Sequence, residues 1–424
     1  VSTLRRARLR SGGVAVLAST LRPAGSAEEL SGTVAAIVAD VRARGDDALV
    51  DDARRFGAPG FTHDRIRVPA AALDAAAARL PEALREAILT AAAQVRALAS
   101  AVVPGDRTEV LPNGQRITVR SVPVDAAGCY VPGGRAAYPS SLVMAAVPAQ
   151  VAGVERIAVV SPAGPDGRPS EVILGTAGLL GIDEVYAAGG AAAIAALAYG
   201  TATISPVAVV TGPGSSWVQE AKRQVTGQVG IDGFAGPSEV LVIADDSADP
   251  RAIALDLLAQ AEHGPDSVAV LASDDPAYLD AVAAAVAAEG EPIGAVTLVE
   301  CASLHLALRL AEAFAPEHLE ICLRDPAAAV AGVRRAGAVF VGPNCATAYG
   351  DYVAGSNHVL PTGGAARFAS SLGPATYMRR MSVVEMTDEA VRALTPHLVM
   401  LAEAEGFTMH ARSAQARLDG LGEG

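Results

Sequence analysis

Aromatic side chains make up only 4% of this 424-residue chain, with a single tryptophan. That shortage argues against an all-β binding module. Heavy alanine use and 42 glycines instead suit helices packed closely on sheets. Cysteine is scarce too: Cys129, Cys301, Cys322 and Cys345 show no CxxC spacing and stand in apolar surroundings, so they read as reduced thiols. Positive charge is in deficit, 33 basic residues against 46 acidic, a net −13. Such a chain does not bind nucleic acid or an anionic membrane non-specifically, although a local basic pocket stays open to it. Long apolar runs are missing as well. Val14–Ala18, preceded by Arg5, Arg6, Arg8 and Arg10, is too short for a signal-peptide core or a membrane span, so a cytoplasmic location is expected.

What the chain has is length and apolar content. With 424 residues and 51% hydrophobic side chains it can fill two or more cores. Residues 1–127 read as a mostly helical region with helical periodicity over 32–56 and 71–101, suited to a cap or dimer contact. From 128 to 235 short apolar runs alternate with helical stretches, with strands expected at 154–161, 183–189 and 206–212. A second such unit, 236–382, follows the AGPSE turn, with strands expected at 239–245, 267–273, 295–300, 318–323 and 337–342. Asp-Pro pairs at Asp249, Asp275 and Asp325 each suit a helix start. The two units share a plan without a clear residue-by-residue repeat. A long glycine-rich loop holds GDYVAGSNHVLPTGG, and 383–424 reads as a helical tail.

Candidate chemistry gathers from residue 260 onward, where most of the seven histidines lie. Gln260 and His263 lie three apart where Gly264-Pro265 ends a helix, which puts both on one face and suggests a metal site; a capping or packed histidine is the plainer explanation. Glu317-His318 stands at a strand entry after Pro316, where alternation turns the two side chains to different faces. One suits water activation and the other proton transfer, although exposed pairs are common there. Asp351 precedes His358 by seven residues in the long loop, a carboxylate and imidazole set that suits zinc. Glu405 and His410 lie near the end of the tail. Gly133-Gly134 and Gly212-Pro213-Gly214 follow strand-like segments, and the second cluster opens a helix whose amides favour phosphate. There is no GxGxxG fingerprint, because Trp217 stands where its last glycine would be.

Together these stretches resemble the histidinol dehydrogenase family over nearly the whole chain. The segments that carry the resemblance are RARGDDAL (42–49), YVPGGRAAYPSSLVMAAVPAQVAGV (130–154), GQVGIDGFAGPSEVLVIAD (227–245), LLAQAEH (257–263), APEHLEI (315–321) and GDYVAGSNHVLPTGGAARF (350–368). The resemblance implies an α/β fold of two Rossmann-like parallel-sheet lobes with helical extensions, in an intertwined homodimer with the site between lobes. It implies zinc held by Gln260, His263, Asp351 and a partner's His410. It implies a catalytic pair Glu317 and His318, and substrate contacts at Ser238, His358 and Glu405. The reaction implied is a four-electron oxidation of L-histidinol to L-histidine through a retained aldehyde, reducing two NAD.

The chain departs from the family where NAD is expected. Tyr130 matches, but Ala192 stands for a glutamine and Ser215 for an asparagine, so two polar contacts worth about 0.5–1.5 kcal/mol each are shortened or lost. That weakens cofactor binding roughly tenfold without abolishing it, unless backbone groups or water substitute. Trp217 and QEAKRQV lean towards relatives that oxidise other primary alcohols such as sulfopropanediol. A metal-binding protein without NAD turnover is a third reading.

Overall fold

The computed structural model describes residues 4–10, 12–22, 28–133, 136–234 and 236–422. Gly134, in the first glycine cluster, lies outside them. The chain divides into two compact units, one of residues 4–102 and 124–377 and one of 103–123 and 378–422.

The larger unit holds two six-stranded sheets. The first is built from β2 (Arg67–Val68), β5 (Ala126–Tyr130), β6 (Arg156–Ser161), β7 (Glu184–Ala187), β8 (Val209–Thr211) and β9 (Gly230–Ile231), in the order β2-β7-β6-β5-β8-β9. All its pairs are parallel except the β2–β7 edge. The second contains β1 (Leu4–Leu9), β10 (Glu239–Ala244), β11 (Val268–Ser273), β12 (Ala295–Cys301), β13 (His318–Cys322) and β14 (Ala338–Val341), ordered β1-β12-β11-β10-β13-β14 and parallel throughout. In each sheet the chain first supplies an edge strand, β2 or β1; its later strands start at the centre, wind two strands towards that edge, then reverse to the other side. The reversal makes a switch point at β5/β8 and another at β10/β13.

Alternation along the strands explains why both sheets are covered. Val240, Val242 and Ala244 enter the core on one face of β10, and Leu241 and Ile243 enter the core on the other. The small residues do what the composition suggests. A Cβ added to Gly178 would stand 2.6 Å from the Leu73 carbonyl oxygen, so the helices Glu171–Leu179 and Ala70–Arg79 approach closely only because that position is glycine. Asp249 and Asp275 cap their helices through the amides of Arg251 and Ala277. At the third Asp-Pro the short helix Ala327–Gly332 has Pro326 as its N-cap and no side-chain cap.

Residues 1–127 are less uniformly helical than expected. β1 supplies an edge of the second sheet, and β3 (Arg107–Val110) and β4 (Arg116–Pro123) belong to the smaller unit. There they form an antiparallel sheet, β15-β4-β3, with β15 (Met378–Glu385), followed by the helices Asp388–Ala404 and Thr408–Asp419. The tail therefore begins with a strand. These strands alternate weakly and lie at the surface, so periodicity did not mark them. Among the described residues no helix is long and apolar enough to cross a membrane.

Candidate active site

β10 and β13 are neighbours in register, Val240 opposite His318, which brings the amino ends of both strands together at the second sheet's switch point. Glu317 and His318, 6% and 4% exposed, meet there at the backbone of Glu239. The Glu317 carboxylate accepts from the Ser238 hydroxyl at 2.7 Å and from the Glu239 amide at 2.9 Å. His318 Nδ1 lies 3.2 Å from the Glu239 carbonyl oxygen and 3.6 Å from Glu317 Oε2. Alternation alone sends the two side chains apart; the turn into β13 lets them reach one another.

The helix Pro250–Ala261 runs back along the sheet after β10, so its last turn arrives at the same amino edge. It delivers the buried Gln260, with His263 in the turn that follows. The Gln260 amide nitrogen has no hydrogen-bond partner, and a buried amide without one is a group that awaits a ligand. Asp351 sits in the short helix Thr347–Tyr352 rather than in an irregular loop. Its Oδ1 is 3.5 Å from His318 Nε2, and its backbone carbonyl holds His358 Nδ1 at 2.8 Å. His358 Nε2 in turn lies 3.4 Å from the hydroxyl of Ser141, in the helix after β5, so the loop spans both sheets of this unit.

The electrostatics follow from burial and crowding. Burial disfavours protonated His318, yet the carboxylates of Glu317 and Asp351 carry its pKa up to about 9. Burial raises the Glu317 carboxyl. For Asp351 burial acts upward, but the hydrogen bond and charge of His318, with His358 and His263 nearby, hold its pKa below the usual carboxylate range. Burial lowers His358. Among the described residues no three His, Cys, Asp or Glu side chains close into a metal-holding set. The set implied by the resemblance draws Gln260, His263 and Asp351 from the larger unit and His410 from the smaller one, where Glu405 caps one helix and His410 stands exposed on the next.

Several neighbours carried no motif. The fully buried Glu320 follows His318 by two on the same face of β13; Thr347 donates to its Oε1 through the amide at 2.8 Å and through the hydroxyl. Its Oε2 has no partner, and Asp256, one turn before Gln260, is pushed up to about 7 by burial and by Glu320. Behind Glu317, Arg22 grips Glu239 with two bonds of 2.6 and 2.9 Å, while Glu239 also accepts from the Gly363 amide. A charged residue inside an otherwise apolar strand was the available signal for Glu239 and Glu320.

The second concave feature is a cavity of about 1320 Å³ at the carboxyl ends of β5, β6 and β7, lined by Tyr130, Ser161, Gly189, Ser215 and Trp217 among others. Tyr130 is buried and receives the Gly190 amide at 3.4 Å; burial raises its phenol. Pro162 wedges between glycines, so that a Cβ at Gly133 or Gly189 would come within 3.2 or 2.7 Å of its ring. Ala192 is buried among apolar side chains and faces a smaller void of about 140 Å³ beside Asp40, Asp52 and Arg55.

A family profile described as Histidinol dehydrogenase matches residues 20–418. The histidinol dehydrogenase of Gluconobacter oxydans is 45% identical over 399 residues, 91% of this chain and 92% of that one. The chain belongs to the histidinol dehydrogenase family. That of Rhizobium meliloti is 47% identical over 409 residues, 93% of each chain. The solved histidinol dehydrogenase of Elizabethkingia anophelis superposes with a TM-score of 0.94 at 30% identity, covering all of both chains. Family membership makes this an NAD-dependent oxidoreductase, and these relatives favour histidinol over the other-alcohol and non-enzymatic readings.

Proposed function

We propose that this protein oxidises L-histidinol to L-histidine in two steps, each reducing one NAD. The observation that carries the reading is the buried Glu317–His318 pair held on the Glu239 backbone beside Asp351 and an amide with no protein partner on Gln260. A buried acid and base in contact can hand protons to and from one substrate carbon without bulk water. Neutral His318, the form that predominates above pH about 9, takes the alcohol proton as hydride leaves the carbon for NAD. Glu317, anchored by Ser238, then takes a proton from the water that adds to the aldehyde, giving the hydrate that loses the second hydride. Each proton transfer of this kind is worth roughly 10²–10⁴ in rate.

Gln260, His263 and Asp351, with His410 of a second copy, are the residues that would hold zinc. Bound there, zinc supplies a Lewis-acidic anchor that orients the substrate without changing oxidation state. His358, Ser238 and Glu405 would contact the substrate's imidazole and amino groups. Tyr130 and Ser215 line the cavity that suits the dinucleotide, while Ala192 contributes packing only.

The smaller unit supports a homodimer, because Met400, Leu401, Phe407 and Met409 around His410 are exposed apolar residues. A second copy of the chain would cover them and bring His410 into the site. An enzyme of histidine biosynthesis with this composition belongs in the cytoplasm.

The test is NADH counted per L-histidinol by the zinc-loaded protein, with sulfopropanediol and simple amino alcohols as comparison substrates. Two NADH and one histidine are expected. No turnover of histidinol would overturn the reading.

A further inference from the structure

Glu320 is the residue near this centre that the fold by itself does not explain. It stands between His318 and Cys322 on one face of β13, wholly buried, while Leu319 and Ile321 on the other face join an apolar core. Cys322, the next residue on its own face, belongs to the core that contains Ala254 and Leu257. Thr347 occupies Oε1 of Glu320 and Oε2 has no partner, so among the described residues no arginine or lysine offsets the burial. A buried carboxylate without a cation is costly, and an apolar side chain here would suit the sheet better. Departures of this kind from the local pattern are expected where a residue serves a site.

What the carboxylate holds is the start of the helix Thr347–Tyr352. Ala346, the N-cap, has no side-chain bond to offer, and Glu320 supplies one from β13. The Thr347 amide donates to Oε1 at 2.8 Å, and the Thr347 hydroxyl donates to the same oxygen. Asp351 follows Thr347 by four and lies on the same side of that helix, as His318 precedes Glu320 by two on the same side of the strand. Four helical residues rise roughly 6.0 Å and two strand residues about 6.6 Å, so the contact between Glu320 and Thr347 sets where Asp351 meets His318. The two meet at 3.5 Å, Oδ1 to Nε2. The helix Pro250–Ala261 repeats the spacing: Asp256 is close enough to feel the charge of Glu320, and Gln260 comes four residues later.

Resting on the reading of Gln260 and Asp351 as metal ligands, we infer that Glu320 is a positioning residue for the metal: it caps the helix of Asp351 and fixes that carboxylate against His318. It acts through Thr347 and touches neither metal nor substrate.

The experiment measures the zinc affinity of the intact protein by competition with a chromogenic chelator, alongside melting of the zinc-free form. E320V removes the cap and fills its place with a side chain that strands favour. It is expected to bind zinc roughly 10- to 100-fold more weakly while its zinc-free form melts no lower than the parent. E320Q keeps a carbonyl acceptor for both Thr347 donors and is expected to bind zinc within about threefold of the parent. Thr347→Pro removes both donors from the other side. Proline suits a first helical position, and Ala346, at φ −65° and ψ 147°, already has the extended backbone required before it. The double variant E320V/T347P strands no buried group, and its loss of zinc affinity should equal that of E320V. Unchanged affinity in E320V and in the double variant would overturn the role of Glu320 and leave the metal reading intact. An equal loss in E320Q, or zinc-free E320V melting well below the parent, would overturn it too, by assigning the effect to charge or to folding. A parent protein that binds no zinc would overturn both readings.

Discussion

Lys222 Nζ lies 2.6 Å from Asp232 Oδ1 in a pair whose side chains are 1% and 4% exposed, and together they hold both backbone groups of Gly212. Lys222 donates to the Gly212 carbonyl at 2.6 Å, while Asp232 accepts its amide at 2.7 Å. Gly212 needs the grip: its φ is +117°, and a Cβ there would run into the Tyr130 carbonyl oxygen. The pair thus fixes the β5/β8 switch point where Ser215 and Trp217 enter the cavity wall. Lys222 is the chain's only lysine, although arginine is abundant.

Removing one charge of that pair leaves the other buried and alone. Lys222→Met and Asp232→Asn are each expected to lose about 3–5 kcal/mol of stability. Urea unfolding measures it, and a loss below about 1 kcal/mol would contradict the burial. Lys222→Arg should fail as well, because the fork has more bulk than the ammonium it replaces.

Asp52 gives a pH signature. Burial raises its carboxyl to about 6, above the ordinary carboxylate value, so the folded state binds this proton more tightly than the unfolded state. Stability from this group is therefore lost as pH rises from about 4 to 6, and the loss is complete above that. Asp52→Asn should stabilise the protein by up to about 3 kcal/mol at pH 8 and by much less at pH 4. Melting temperatures of both proteins across that range decide it; a constant difference would point to another cause.

Glu317 and His318 should separate kinetically if their roles differ. Glu317→Gln is expected to retain part of the alcohol oxidation while forming histidine at least 100-fold more slowly, within the usual range for a lost general base of about 10²–10⁴. Single-turnover assays that follow NADH and histidine separately show the split. Equal loss of both halves would make Glu317 a structural support for His318.

The tail carries a prediction about assembly. His410→Ala should weaken zinc retention and activity while the larger unit stays folded. If the site is shared, mixing His410→Ala with Glu317→Gln chains, each slow to form histidine, rebuilds one intact site per hybrid dimer and raises histidine formation. Recovered activity supports a partner's histidine, and none after verified exchange would place His410 in its own chain's site.

Much of the fold was legible because its signals are local. All eight strands expected between 154 and 342 are present, with ends shifted by no more than three residues, and Asp249 and Asp275 cap the helices that Asp-Pro predicts them to start. Gln260 and His263 were legible for the same reason, since a Gly-Pro stop sets where a helix ends. The edge strand β1 was not: Leu4–Leu9 alternates weakly and becomes a strand by pairing with β12.

Periodicity, caps and ordered motifs are properties of neighbouring residues, so the α/β class, the parallel strands and the family could be read along the chain. Which charges share a buried space depends on contacts between distant segments. Arg22 meets Glu239 across 217 positions, and Ser238 meets Glu317 across 79. Such relations depend on how strands order themselves in a sheet, and no local pattern encodes the partner of a buried charge.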